Sequence, residues 1–346
     1  MSLAIRSFLA TTAATDSSVI KLVAPANDAQ YAAWFEARSQ NLQAYNQLSR
    51  LLAPSLALCV LLCLARAAFV RWAQATGNGR PRVGEGKGGT EADGTPPDLR
   101  WAEGCWTMAG GSVLLLWSWV CVATSNGGCP SLPSLDTSPC LAGWPLLPLE
   151  PLVAAYYAAE LAWYMHLLLK HHLGLGLHDS HLMTVHHVAS IYLLVMSYCL
   201  TLHRPGVLLL ALLNCSTPLL HLSKTAHHVG SRGLALVSFA AFAVVFFISR
   251  VVMFPVLFLP LGMVHSRRLI PHVLSHYPAT FALVNGLLAA LLGMQWVWFG
   301  AILRILRTAA GGDAAKLAAS AKGLEQEAGR ETRDGGAELS GALRLA

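Results

Sequence analysis

Residues 182–202 read LMTVHHVASIYLLVMSYCLTL, with no Lys, Arg, Asp or Glu among them. An uncharged apolar run of this length has the composition of a helix that crosses the hydrocarbon core of a bilayer. Its polar residues are not scattered. At 100° per residue, His186, Ser190, Leu193, Ser197, Thr201 and, just past the run, Arg204 fall within roughly 80° of one another, and His187 and Tyr198 share an adjacent face. Ionisable groups near a bilayer centre cost about 2.5 kcal/mol or more each, so such a stripe turns away from lipid. The stretch therefore predicts a bundle of membrane helices around a polar-lined interior.

The rest of the chain agrees. Of 346 residues, 55% are hydrophobic and only 12% charged, about half the charge of an ordinary soluble domain. Apolar runs recur at 51–72, 105–125, 146–170, 182–202, 207–222, 234–259 and 278–306. The expected fold class is all-α: a polytopic membrane helical bundle of about seven transmembrane helices around an internal lipid chamber. The fifth run is short, about 24 Å as a helix, and needs polar ends or a thin bilayer. The predicted organisation is an N-terminal tail with an amphipathic stretch (1–50), a first transmembrane helix (51–72), a flexible Gly-rich loop (73–100), a membrane domain (101–307) and a C-terminal cytosolic tail (308–346). Residues 1–20 lack the continuous apolar core of a cleavable signal peptide; their Ala, Ser and Thr content resembles either a transit peptide or a tail.

The net charge of +6 comes from Lys and Arg that flank the apolar runs, which speaks against nucleic-acid binding. The segment 126–143 has neither Lys nor Arg, whereas the preceding loop carries Arg71, Arg80, Arg82, Lys87 and Arg100. The asymmetry predicts a luminal 126–143 loop, a cytosolic first loop, a luminal N-terminus and a cytosolic C-terminus. Most of the eight cysteines lie in apolar runs as small hydrophobes. Cys129 and Cys140 share the luminal loop and are placed to bridge in an oxidising compartment.

In the fifth run Asn214, Thr217, His221, Lys224 and His228 share a helical face, and Pro218 removes the backbone donor for the Asn214 carbonyl, which predicts a kink. Arg250 stands alone among apolar residues in the sixth. Taken singly, Ser190, Ser197 and Thr201 read as ordinary backbone-bonding groups of membrane helices, and Arg204 as a snorkelling end residue. The adjacent pair His186–His187, with Asp179 upstream, reads as functional. Glu150 and Glu160 are open between structure and site, since either can pair with an interior His or Arg.

The stretch HHVASIYLLVMSYCLTLHRPG, residues 186–206, resembles the signature of the TLC-domain family, whose best-known members are ceramide synthases. The resemblance rests on His186, His187, Ser190, Leu193, Ser197, Tyr198, Thr201, Arg204 and Gly206, with Asp179 and Met183 before them. Ser216, Leu219, Leu220, Lys224 and the closing MQWVWFGAILRIL extend it over about residues 100–307. It implies a fold with an acyl-chain chamber, and His186 and His187 as catalytic residues if there is a reaction. Ceramide synthases carry acidic groups in the following span, where this chain has Leu213, Asn214, Thr217 and His221. Cys215–Pro218 instead resembles the small non-synthase members associated with membrane lipid composition. The resemblance thus implies a lipid-handling protein of the endoplasmic reticulum or a related endomembrane, tied to sphingolipid and ceramide metabolism, with weak acyl transfer or none. No cofactor is expected, acyl-CoA being a substrate if transfer occurs; membrane lipids are the expected partners, and the sequence points to no protein partner. Asp179, Ser190, Ser197, Tyr198, Thr201, Arg204, Asn214, Thr217, His221, Lys224 and Arg250 are the expected chamber-lining residues.

Two other classes compete. One is a membrane di-iron desaturase or hydroxylase, suggested by His166 before His171–His172, His181 before His186–His187 and His221 before His227–His228. The gaps of four, four and five residues differ from the two or three of those enzymes and turn the lone His away from the pair, so no metal is expected. The other is a non-enzymatic membrane scaffold.

Overall fold

Long apolar runs become long helices because a bilayer offers the backbone no other hydrogen-bond partner. The computed structural model describes residues 43–77, 97–131, 134–144, 147–173, 181–269 and 278–310. The expectations for the N-terminal tail up to residue 42, the Gly-rich loop over 78–96, Asp179 and the tail after 310 lie outside the described residues. The elements are α1 (Gln43–Thr76), α2 (Pro97–Ser125), α3 (Pro151–His172), α4 (His181–Cys199), α5 (His203–Asn214), α6 (Thr217–His228), α7 (Arg232–Phe246), α8 (Phe254–Pro260), α9 (Ser266–Leu269) and α10 (Pro278–Ala310). Among the described residues there is no strand beyond an isolated bridge between Ser131 and Asp136.

Among the described residues, seven helical stretches are long and apolar enough to cross a membrane: Leu48–Thr76, Asp98–Ser125, Pro151–Lys170, His181–Cys199, His203–His228, Arg232–Leu269 and Pro278–Arg307. The protein is an integral membrane helical bundle. Large apolar side chains such as Leu61 and Leu64 of α1, Val113 and Leu116 of α2, Val237 of α7 and Val297 of α10 are exposed. Such a surface would drive association in water and instead contacts acyl chains in a bilayer.

The fifth span corrects the sequence expectation. It is not a short helix over 207–222 but 26 residues long, built from α5 and α6 in succession. The polar ends that lowered its apparent hydropathy are satisfied inside the protein: the Tyr157 hydroxyl donates to the His203 carbonyl and the Ser223 hydroxyl to the Ala235 carbonyl. Helix α5 ends at Asn214 and α6 restarts with Pro218 in its first turn, where a missing N–H is harmless. The expected interruption therefore falls at 215–216.

The sixth span carries two wide turns of π-helix, Phe247–Met253 and Leu261–His265. The first ends just before Pro255 and the second begins just after Pro260. Pro255 removes the donor for the Val251 carbonyl, within the first turn, so the local ladder slips to wider spacing there. Arg250 sits in the first of these turns.

Glycines bring α2 against its neighbours. A methyl group at Gly110 would overlap the Trp163 ring, and one at Gly104 would overlap Thr225 Oγ1. Small residues at such contacts let membrane helices approach closely.

The 126–144 segment closes one end of the bundle. Cys129 and Cys140 form a disulfide. Arg204 donates to the carbonyls of Pro139 (3.3 Å) and Ala142 (3.4 Å), Trp144 Nε1 donates to the Leu200 carbonyl, and Thr137 donates to the Leu257 carbonyl. Gly127, at φ +59°, lies where any side chain would strike the Arg204 guanidinium. Arg204 is thus a loop anchor. Asp136 accepts from the Ser138 side chain and backbone, which holds its carboxyl below the ordinary value.

Candidate functional site

Helix α3 contributes Tyr156, Glu160 and Tyr164 at successive i, i+4 positions, all buried. Glu160 Oε1 accepts from the Tyr156 hydroxyl (3.0 Å) and from Asn214 Nδ2, the last residue of α5. The Tyr164 ring meets His187 at 5.9 Å and His186 at 6.4 Å between centroids, and its hydroxyl faces Ser190. Both histidines are buried, and the His186 ring also packs edge-on against Trp298 of α10 at 5.3 Å.

Arg250 completes the group. The π-turn aims its guanidinium inward, where Nη2 donates to the Leu213 carbonyl and to Thr217 Oγ1 (3.3 Å) and Nη1 donates to Gln295 Oε1 (3.2 Å). Its carbon lies 5.1 Å from the Phe246 ring centroid. Glu160 Oε2, His186 Nδ1, Arg250 Nε and Gln295 Nε2 are buried without a hydrogen-bond partner among the described residues. Each such atom ordinarily costs 1 kcal/mol or more, by a rough mutational scale.

A cavity of about 140 Å³ runs from this group toward the 126–144 loop. Tyr164, Ser190, Leu213 and Leu291 line it at the end nearest the His pair, while Leu141, Leu202, Ser266 and Thr280 line it near the loop. The wall is almost wholly aliphatic or aromatic.

The expected site residues separate. Ser190 and Ser197 line the cavity. His186, His187, Asn214, Thr217 and Arg250 do not line it; they lie behind wall residues, the histidines against Tyr164 and Arg250 on the Leu213 carbonyl. Tyr198 packs on Tyr157 (5.6 Å) in the α1–α4 core, away from the cavity. Thr201 lies in the turn before α5 at φ +55°, Arg204 anchors the loop, and Lys224 is exposed. Among the described residues no group of three His, Cys, Asp or Glu stands together as a metal site.

Sequence reasoning missed a second polar cluster near the opposite end of the bundle. Glu103 of α2 takes an ion pair from Arg66 of α1 and another from Lys170 of α3 (2.9 Å), all three buried. Beside them His166 Nε2 accepts from Trp106 Nε1 (3.1 Å), with Cys63 Sγ 3.3 Å from its Nδ1. Tyr164, Gln295 and Trp298 were also missed. Their signals were present: the Tyr156–Glu160–Tyr164 period of four, and Gln295 and Trp298 three apart within MQWVWFG.

The model of the TLC domain family matches residues 100–304, more than half of the chain, and the chain belongs to that family. It is 29% identical to ceramide synthase 5 of Mus musculus over 163 residues, 47% of this chain and 38% of that protein. It is 30% identical to the Homo sapiens ceramide synthase 5 over 171 residues, 49% and 42% of the two chains, and 34% identical to ceramide synthase 4 of Bos taurus over 116 residues, 34% and 30%. The match thus spans less than half the length of these relatives.

Proposed function

We propose that the protein binds the acyl chain of a sphingolipid-class lipid in the α4–α5–α8–α10 cavity, with the lipid's polar end toward His186 and His187, and so contributes to lipid homeostasis in an endoplasmic-reticulum-type membrane. The carrying observation is the apolar cavity that ends on Tyr164 and Ser190, one turn from His186. A dry aliphatic cavity of this size takes apolar matter in preference to water. Native mass spectrometry of the detergent-extracted chain tests the reading: a bound acyl lipid is expected, and its loss on Leu209→Trp, which fills the cavity. A chain that carries no lipid, or one whose lipid survives that filling, refutes it.

A second reading is N-acyl transfer, supported by the names of the relatives and by Glu160. In this reaction a lipid amine attacks the carbonyl carbon of a thioester, the C–S bond breaks, the thiolate departs and the amine proton passes to a base. His186 or His187 is the base available. Glu160 supplies from α3 an acidic group that the span after the His pair lacks. Its bonded oxygen is taken by Tyr156 and Asn214, which leaves imidazolium support weak and the expected turnover low.

A further inference from the structure

Serines in this bundle ordinarily close a hydrogen bond on the carbonyl one turn earlier: Ser55 on Leu51 (2.6 Å), Ser112 on Met108 (2.7 Å) and Ser249 on Val245 (2.8 Å). Ser190 does not. The residue is 7% exposed, and its Oγ has no hydrogen-bond partner among the described residues. Glu160, His186, Arg250 and Gln295 also carry open buried atoms, but none of them lines the cavity, and Ser190 does. A hydroxyl left open in an apolar wall is costly until something completes it.

A second hydroxyl stands beside it. Tyr164, from α3, also lines the cavity, and its hydroxyl faces Ser190 without closing a bond to it. The other wall serines are already spent: Ser197 donates to the Leu194 carbonyl and pairs with the Tyr157 hydroxyl (each 3.0 Å), and Ser266 donates to the Gly262 carbonyl. Two hydroxyls from two helices thus meet at the end of the cavity nearest the His pair, in a wall shared there with Leu213 and Leu291. Each has one proton to give, and a carbonyl oxygen, with two lone pairs, accepts from both. In a sphingolipid the acyl tail is joined through an amide. A tail lying in the cavity therefore ends, at this pair, on that amide carbonyl.

We infer that Ser190 and Tyr164 hold the amide carbonyl of the bound sphingolipid by one hydrogen bond each. The inference rests on the chamber reading and adds the residues that grip the lipid and the group they grip.

The test uses the purified, delipidated full chain in non-ionic detergent, loaded with a palmitoyl ceramide isotopically labelled at its acyl carbonyl carbon. Native mass spectrometry counts the adduct. Isotope-edited infrared spectroscopy reads the carbonyl band, which falls in frequency when the oxygen accepts hydrogen bonds. The band is expected below that of the same ceramide dilute in an apolar solvent. It should rise in Ser190→Ala and in Tyr164→Phe, and furthest in the double variant. Each single variant should hold the ceramide about fivefold less tightly, the scale of one neutral hydrogen bond. No adduct in the unmodified chain overturns the chamber reading and this inference with it. An adduct whose band lies at the apolar-solvent position, or moves in neither variant, overturns the carbonyl grip and leaves the chamber in place. A band that moves in only one variant overturns the pair. Thermal unfolding checks that the variants fold; should one fail, the band of the unmodified chain and the remaining variant decide.

Discussion

Asn214 donates its side-chain amide to Glu160 across the α3–α5 contact, at the point where α5 ends. The pair joins the helix that carries the tyrosines to the span that follows the histidines. Asn214→Asp replaces the donor with a second carboxyl group facing the first, and a loss of about 1–3 kcal/mol is expected. The exchanged pair, Glu160→Gln with Asn214→Asp, restores an amide facing a carboxyl and should recover most of that loss. Thermal unfolding of both forms in detergent measures it. Equal instability of the single and double variants would show that the two residues are not coupled.

Glu103 holds two buried cations from two other helices. Glu103→Gln leaves both charges without an anion, and a destabilisation of about 3–5 kcal/mol is expected. The triple replacement Arg66→Met, Glu103→Leu, Lys170→Met removes every charge and should unfold later than Glu103→Gln alone. The melting temperatures of the two variants decide it, and a triple variant less stable than the single one contradicts the charge account.

The disulfide-clasped loop gives a compartment test. In intact microsomes Cys129 and Cys140 should resist thiol alkylation until a reductant is added, and an N-glycosylation acceptor inserted at 134–135 should be modified. An acceptor inserted over 78–96 should stay unmodified; modification there alone reverses the topology. The loop also responds to acid. Ser138 holds the Asp136 carboxyl below its ordinary value, so its contribution is complete above the ordinary carboxylate range. It is lost as pH falls through the lower folded value. Hydrogen exchange over residues 134–140, corrected for intrinsic rates, should show that loss, and Asp136→Asn should abolish it.

The spans were legible because hydropathy is a one-dimensional property, and each charge-poor run could only become a helix. The site was legible in part. Helical-face reasoning placed His186 and Ser190 correctly relative to each other because α4 is a regular helix through both. The same reasoning on Asn214, Thr217, His221 and Lys224 assumed one straight helix, whereas the restart at 215–216 re-aims everything beyond it. Asn214 meets α3, Thr217 meets Arg250, and Lys224 reaches the surface. The Glu160 pairing was hidden for another reason: it depends on which helix packs against which, and a run of residues carries no such information without partners. Arg250 stood out by composition alone, but its inward aim comes from a π-turn that only the backbone reveals.

The last prediction concerns chemistry at the His pair. His186 lies between Tyr164 and Trp298, one turn from the cavity-lining Ser190, with Nδ1 buried and open among the described residues. Its neighbours are aromatic rings and the Ser190 hydroxyl, none of which compensates an imidazolium. General base assistance contributes about a hundredfold or more when its partner is well matched; here Glu160 Oε1 is committed to Asn214 and Tyr156, and Glu160 forms no ion pair with His186 among the described residues. Microsomal N-acylation of a sphingoid base by a fatty acyl-CoA, in cells without their own synthases, should therefore be slow, and abolished in His186→Ala. Asn214→Leu with Tyr156→Phe frees Glu160 from both bonds and should raise the rate if the carboxylate is the missing support. Robust His186-dependent acylation by the unmodified chain would refute weak transfer. Slow acylation that persists in His186→Ala would take the base from this residue and leave His187 as the candidate.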